Sequence, residues 1–419
     1  MKFQERSVRS IPSNTNIAIY GAGEFGRTVK EHLEQRGQGN HVTCFFDSFG
    51  EGEFCGLPVV NIHRIGKETF DFDVVVVASD FSKEIVENLY SQKITNYIII
   101  NKVEFFNRDL SISEFNGMQH RRMQSRNYLP NRVLIQLSSV CNLKCKMCPH
   151  GEWTIDKPFM DKDVFLRVLE ECKKNDVSNI TLGSSRGESL LHKNFFEFSR
   201  IASEKDFNMY FSTNAVLLNS GNIDELLESG FSAIDISFCG SDKKSYESVY
   251  VGASFEHAVE CLLALKEKTL KMRNPPLVSV RGTVIDNDNN ARDRNILFLK
   301  ELGYSDSEIS ISLADNFAGG SNLGIYYPLI EINTLLPIDD HALTLCTGLD
   351  AWVVYTDGLV GPCGCRNYRK LNILGNIRTG EFADMAKSEI NTSLIESFVS
   401  GNVRHLDLCR KCDLPYRRA

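Results

Sequence analysis

Cys141, Cys145 and Cys148 lie in the run Cys141-Asn142-Leu143-Lys144-Cys145-Lys146-Met147-Cys148, a C-x3-C-x2-C spacing. Four thiolates normally complete a cubic iron–sulfur cluster. Three at this spacing leave one iron without a protein ligand, open to a small molecule and able to pass it an electron. A zinc knuckle, or thiols that are merely reduced and scattered, is the plainer alternative. A second set, Cys346, Cys363, Cys409 and Cys412, lies far downstream. Four thiolates would saturate a second cluster and let it accept an electron, although four thiolates also suit zinc. Cys365 is a spare that could replace Cys363.

The elements that must position these residues change character along the chain. Over the first 110 residues, apolar strands at Ile17 to Tyr20, Val42 to Phe46, Val74 to Ala78 and Tyr97 to Ile100 alternate with amphipathic stretches. Residues 111–130 are polar and read as a linker. Strands are then predicted at 133–138, 179–183, 208–213, 233–238, 278–283 and 309–314. Helices are predicted at 163–174, 222–229, 255–268 and 291–302. Six βα units predict an open, partial (β/α)6 TIM-like barrel over 131–335. A Cys- and Gly-rich region follows over 336–419, with a short helix near 381–398.

The barrel strands alternate in a telling way. Ile234, Ile236 and Phe238 share one face, and Asp235, Ser237 and Cys239 the other. Ser279, Arg281 and Thr283, and then Ser310 and Ser312, repeat the polar face. A barrel filled only for stability carries branched apolar residues inside. A polar lumen suits a hydroxylated substrate better than a lipid.

The cysteine spacing resembles the radical S-adenosylmethionine (SAM) superfamily, in which the open iron holds SAM and cleaves it to a 5′-deoxyadenosyl radical. Gly183-Ser184-Ser185-Arg186-Gly187-Glu188, after the second strand, is similar to that family's GGE-type motif. By that resemblance Gly187 and Glu188 bind the SAM ammonium, with Arg186 where the first glycine usually stands. Ser212-Thr213-Asn214 resembles the S-T-N-G segment that contacts SAM, with Ala215 for glycine; Asn214 also reads as a turn residue. Ser237-Phe238-Cys239-Gly240 has cysteine where relatives often have aspartate. A thiol there is a candidate hydrogen-atom donor or a small buried residue. Arg281 would clamp a SAM carboxylate or a substrate phosphate, or simply pair with Asp235.

The downstream cysteines, with Gly358 to Cys363 as G-x4-C and Leu374-Gly375-Asn376-Ile377, look like the SPASM/twitch extension that carries auxiliary [4Fe–4S] clusters. With seven residues after Cys412, this chain has ligands for one such cluster, as in the twitch form. The resemblance implies a metal-binding oxidoreductase that oxidises an alcohol carbon of a sugar, nucleotide sugar or aminocyclitol, as in carbohydrate biosynthesis. A flavodoxin or ferredoxin would supply the electron. Epimerisation through Cys239, peptide modification and a non-catalytic iron–sulfur or zinc protein are the alternatives.

Gly21, Gly23 and Gly26 form G-x-G-x-x-G between a strand and a helix, and Asp47 ends the next strand, which is a dinucleotide fingerprint in its proper context. The first 110 residues are therefore expected to form a small Rossmann-like domain, with a nucleotide or nucleotide sugar as candidate ligand and a scaffold or dimerisation role as the alternative. An NAD-dependent oxidoreductase would need a catalytic domain that does not follow. The net charge is −7 without a basic block, which argues against nucleic acid as the main partner. No apolar run approaches a membrane span. The polar start and the thirteen cysteines fit a reducing cytoplasm.

Overall fold

Short apolar runs alternating with amphipathic stretches produce, in the computed structural model, two α/β units, Met1–Arg122 and Met123–Arg417. The structure describes residues 11–35, 40–48, 50–67, 71–78, 82–100, 112–149, 157–183, 186–285, 290–314, 346–364, 366–400, 403, 405–410 and 412.

In the first unit, β1 (Asn16–Tyr20), α1 (Glu24–Gln35), β2 (His41–Asp47), β3 (Gly52–Phe54), β4 (Leu57–Asn61), β5 (Val74–Val77), α2 (Ser82–Ser91) and β6 (Tyr97–Ile99) build one sheet of order β3-β4-β2-β1-β5-β6. Every pair is parallel except the β3–β4 hairpin. The strands are apolar on both faces, as a parallel sheet covered by helices requires. Ile17, Ile19, Phe45 and Val76 pack with Val29 and Leu33 of α1. Ala18, Tyr20, Phe46 and Val77 pack with Ile85, Val86 and Leu89 of α2 on the other face.

Where the sequence predicts a polar linker, Ile112–Ser125 is helix α3. Its Met, Gln, Arg and Glu residues are good helix formers and no proline interrupts them.

In the second unit, β7 (Arg132–Ile135), β8 (Asn179–Leu182), β9 (Asn208–Thr213), β10 (Phe231–Ser237), β11 (Leu277–Val284) and β12 (Ile309–Leu313) lie side by side in chain order, all parallel. Between them run α4 (Lys162–Lys174), α5 (Phe195–Glu204), α6 (Ile223–Glu228), α7 (Lys243–Val249), α8 (Phe255–Lys271) and α9 (Ala291–Glu301). The six predicted strands and four predicted helices are all present. Strand residues Ile180, Phe211, Ile234, Ile236 and Val280 pack on Phe165, Phe198, Leu262 and Leu299 of the helices in one core. Each such side chain contributes about 1.5–3 kcal/mol when fully buried.

Among the described residues the sheet does not close on itself. Among the described residues β12 pairs with β11 alone, and the free edge of β7 is taken by β13 (Ala351–Val354), in register from Ala351 with Arg132 to Val354 with Ile135. β14 (Leu359–Gly361) and β15 (Gly375–Asn376) extend the same sheet antiparallel. The Cys-rich region is thus continuous with the barrel sheet. Its expected single helix is two, α10 (Phe382–Ala386) and α11 (Glu389–Val399), with Ser388 capping the second through Asn391 N–H. The buried Glu171 of α4 accepts a hydrogen bond from Phe382 N at 2.9 Å, which fixes the start of α10 against the barrel.

Candidate active site

The first cysteine set sits beyond the C-terminal end of β7, the end at which this architecture keeps its sites. Backbone bonds hold its loop: Lys144 N donates to Val251 O at 3.0 Å and Lys146 N to Val249 O at 2.9 Å. The loop therefore leans on the segment after α7. Leu143 N points at Cys141 Sγ, 3.5 Å away. Burial raises the Cys141 thiol above its usual range and pushes Cys145 up to about 12, with the neighbouring Cys148 and Cys141 adding to the latter. Such thiols are held as neutral groups until a cation replaces their protons. Among the described residues no three Cys, His, Asp or Glu side chains close around a single ion. These three instead stand around the wall of a cavity of about 520 Å³. Three thiols facing one open space are a donor set that suits a cluster with one free corner.

Glu188 joins them in that wall. Its Oε1 accepts from Leu190 N at 3.2 Å and Thr213 Oγ1 at 3.0 Å, and its Oε2 from Asn214 N at 2.9 Å. Burial still raises its pKa above the usual carboxylate value, these three bonds opposing. An ammonium entering the cavity would favour the ionised form. Gly187 lies hard against the exit of β7: an added Cβ would sit 2.1 Å from Ser138 O, at a φ of +77°. Arg186 is buried, and its positive charge opposes the burial-driven rise in the Tyr355 phenol pKa just after β13.

Asn214 is both turn residue and connector. Its Oδ1 accepts from Val216 N at 3.0 Å, and its Nδ2 donates to Asn142 Oδ1 at 2.9 Å, inside the cysteine loop. Ala215, where the resembled motif has glycine, adopts a left-handed φ of 61°. That conformation costs about 1–2 kcal/mol for alanine, and burial of its methyl in the core offsets roughly half of that.

The rest of the cavity is the polar lumen expected from strand alternation. Ser212, Ser237, Arg281, Thr283, Ser310 and Ser312 line it. Arg281 does two of the things expected of it: it faces the cavity, and its Nε pairs with Asp235 at 2.7 Å. Asp235 also accepts from Ser279 Oγ.

Cys239 departs from the expected face. It is 4% exposed, belongs to the apolar core and is not among the lining residues. β10 ends at Ser237, so the alternation stops before it reaches Cys239. Cys239 packs against Gly282, whose added Cβ would be 2.8 Å from its Cβ, and lies near Tyr250. Gly282 and Tyr250 are themselves part of the wall.

Three lining residues, Tyr250, Gly282 and Arg366, have no counterpart in the sequence reading. Tyr250 follows α7, and only the docking of the cysteine loop brings it in. Arg366 belongs to the Cys-rich region and gave no signal, because a single arginine in a turn has no periodicity to betray it.

The second cysteine set converges elsewhere in the same unit. Cys346 Sγ accepts from Gly348 N at 3.3 Å. A Cβ on Gly348 would lie 3.2 Å from both Cys346 Sγ and Cys363 Sγ, so a side chain there would fill the space the two sulfurs share. Cys363 and Cys409 are buried in one cluster with Leu349, Leu394 and Phe398, and Cys346 packs at its edge. Burial raises the Cys409 thiol pKa, with further upward contributions from Cys363 and Cys412. By donor type the four thiols suit a saturated cluster. Cys365 lies outside the described residues.

In the first unit Gly21, Gly23 and Gly26 form the expected strand-to-helix turn, and a Cβ on Gly26 would be 2.0 Å from Gly21 O. Asp47 ends β2, and its Oδ1 accepts from Gly50 N at 2.8 Å, so one carboxylate oxygen braces its own turn. Among the described residues no helix is long and apolar enough to cross a membrane.

Comparison with known proteins finds matches in two stretches of the chain. Residues 135–310 match the radical SAM superfamily, and residues 16–79 match the PglD N-terminal domain. The tungsten-containing aldehyde ferredoxin oxidoreductase cofactor-modifying protein of Pyrococcus furiosus is 30% identical over 105 residues, which are 25% of this chain and 30% of that protein. The chain thus spans less than a third of that relative's length. Among solved structures, BtrN in complex with AdoMet and 2-DOIA aligns with a TM-score of 0.45 at 17% identity, over 68% of this chain and 93% of that one. Streptococcus suis SuiB bound to precursor peptide SuiA aligns with a TM-score of 0.49 at 15% identity, over 80% and 82%.

Proposed function

Because the chain carries a radical SAM domain, we propose that it removes a hydrogen atom from a carbinol carbon of a hydroxylated small molecule and oxidises that alcohol to a ketone. A sugar, nucleotide sugar or aminocyclitol is the substrate class. One observation carries the reading: Cys141, Cys145, Cys148 and Glu188 share a single cavity with serine and threonine hydroxyls and Arg281. A [4Fe–4S] cluster on the three thiols, with SAM, would supply a 5′-deoxyadenosyl radical, and a second cluster on Cys346, Cys363, Cys409 and Cys412 would supply an electron acceptor.

The chain's own residues do the positioning. Gly187 and Glu188 hold the SAM ammonium, with Ser212 and Asn214 beside it. Arg281, anchored by Asp235, offers its remaining guanidinium nitrogens to a carboxylate. The lumen hydroxyls orient the substrate. The carbinol carbon, having given up its hydrogen atom to the radical that bound SAM would supply, would lose its hydroxyl proton and one electron to form the C=O bond. Oxidation is favoured over epimerisation because Cys239 is buried in the apolar core and is not one of the residues of the wall. The N-terminal unit would bind a nucleotide through Gly21, Gly23, Gly26 and Asp47. A cytoplasmic flavodoxin or ferredoxin would provide the electron.

The test is a pair of variants in anaerobically reconstituted enzyme. The wild type should carry about eight irons per chain. Cys145→Ala should abolish SAM cleavage, whereas Cys412→Ala should spare cleavage and stop ketone formation. Equal loss of cleavage in both sinks the division of labour. In deuterated water, one solvent deuterium on the product carbon would favour epimerisation instead.

A further inference from the structure

We propose that the substrate carries a phosphoryl group and that Arg366, on the loop of the second cysteine set, is the residue that binds it; this rests on the reading of the cavity as a substrate site. The charges in the wall are the starting point. Among the described residues, apart from the cysteines and Tyr250, the ionisable lining residues are Glu188, Arg281 and Arg366. Glu188 has its carboxylate committed to Leu190 N, Thr213 Oγ1 and Asn214 N. Arg281 is tied through Nε to Asp235 and sits in register with Ser237 across the β10–β11 pair.

Arg366 reaches the same cavity from a different element. It follows Cys363 by three residues, in a turn where Asn367 N donates to Cys363 O at 3.2 Å. Asn367 braces that turn further: its Nδ2 donates to Pro362 O at 3.1 Å and Leu371 O at 2.7 Å, and Tyr355 Oη donates to its carbonyl at 2.6 Å. The backbone that carries Arg366 is therefore well fixed.

A second guanidinium adds little for a neutral polyol, which the hydroxyls of Ser237, Thr283, Ser310 and Ser312 already serve. For a phosphoryl group it adds a planar, permanently charged fork that matches two oxygens at once. A partly enclosed wall also focuses its field on an incoming anion. The same loop then has two tasks, holding Cys363 of the electron-accepting set and reading the substrate's acidic group.

The probe is inorganic pyrophosphate, titrated calorimetrically into reconstituted, SAM-loaded enzyme. The wild type should bind it, and Arg366→Gln, with its iron content intact, should bind at least about tenfold more weakly, as loss of a charged hydrogen-bonding pair predicts. Arg366→Lys should recover part of that loss. If Arg366→Gln loses iron, phenylglyoxal labelling of the wild type, read by peptide mass spectrometry, decides: pyrophosphate should protect Arg366. No pyrophosphate binding, binding that Arg366→Gln leaves at full strength, or no protection of Arg366 overturns the proposal. Absence of SAM cleavage in an enzyme that still binds pyrophosphate through Arg366 would overturn the radical reading and leave this one standing.

Discussion

Replacing Gly187 with alanine tests how the site is held together. The added Cβ would lie 2.1 Å from Ser138 O, 2.7 Å from Ser138 C and 2.9 Å from Val140 O, all backbone atoms on the segment that leads into Cys141. None of them can swing aside as a side-chain end can. Ordinary carbon contacts need about 3.5 Å, so the two segments must part by about 1 Å or more. That breaks the 2.8 Å bond from Glu188 N to Val140 O, at about 1 kcal/mol. The left-handed φ adds about 1–2 kcal/mol for alanine, and lost dispersion and displaced neighbours bring the total to roughly 3 kcal/mol or more. Gly303 is the control. It too has a positive φ, +92°, but its added Cβ would meet only Lys266 Cγ at 3.9 Å. Gly303→Ala should cost only about 1–2 kcal/mol. At about 2–4 °C per kcal/mol, Gly187→Ala should lower Tm by roughly 6–12 °C and Gly303→Ala by about half of that or less. Differential scanning calorimetry compares them, and iron content and SAM affinity should fall in the first variant alone. Equal shifts in Tm, with iron and SAM binding intact in both, would refute the idea that this close approach sets the geometry of Glu188 and the cysteine loop.

Glu188→Gln should weaken SAM binding by about tenfold or more in equilibrium dialysis, because a charged acceptor is lost and the new amide turns donors toward donors; unchanged affinity would remove Glu188 from the SAM site. His192 gives a pH signature. Its Nδ1 accepts from Asn194 N at 3.1 Å, so its Nε2–H donates to Met160 O at 2.9 Å, and burial, the main cause, lowers its pKa below the usual 6.5. As pH falls below about 6.5 the unfolded chain takes up the proton first, so the folded state loses stability down to the depressed pKa. Urea midpoints at pH 7.5 and 5.5 should drop more for the wild type than for His192→Asn, and equal drops would assign the pH dependence to other groups.

The parts legible in the sequence are those with a short-range signature. Parallel strands such as Val74 to Val77 show as apolar runs, and the lumen shows as Ser237, Arg281 and Ser312 alternating against Ile236, Val280 and Ile311. Gly187-Glu188 sits at the end of a strand that could be recognised by itself. What stayed hidden depends on contacts between distant residues or on the end of a pattern. Nothing local in Ala351-Trp352-Val353-Val354 says that it pairs with β7. The alternation reaches Cys239 only when it is extended two residues past the end of its strand at Ser237. Arg366 and Tyr250 enter the cavity only because loops far apart in the chain dock together. Helix α3 was missed because a polar surface hides a good helical propensity.

The pairing of β13 with β7 also bears on how the chain comes into being. Ala351 is about 220 residues downstream of Arg132, its partner in the sheet. At about 5–20 residues per second, a ribosome needs roughly 10–45 s to travel from one to the other. Throughout that interval β7 can pair with β8 on one side, while its other edge, Val133-Leu134-Ile135, offers unpaired backbone groups to any strand that comes near. Synthesis of this protein therefore includes a window in which an apolar strand edge next to the nascent cysteine loop is open to wrong partners. The last step of barrel assembly is the arrival of the segment that also brings the second cysteine set.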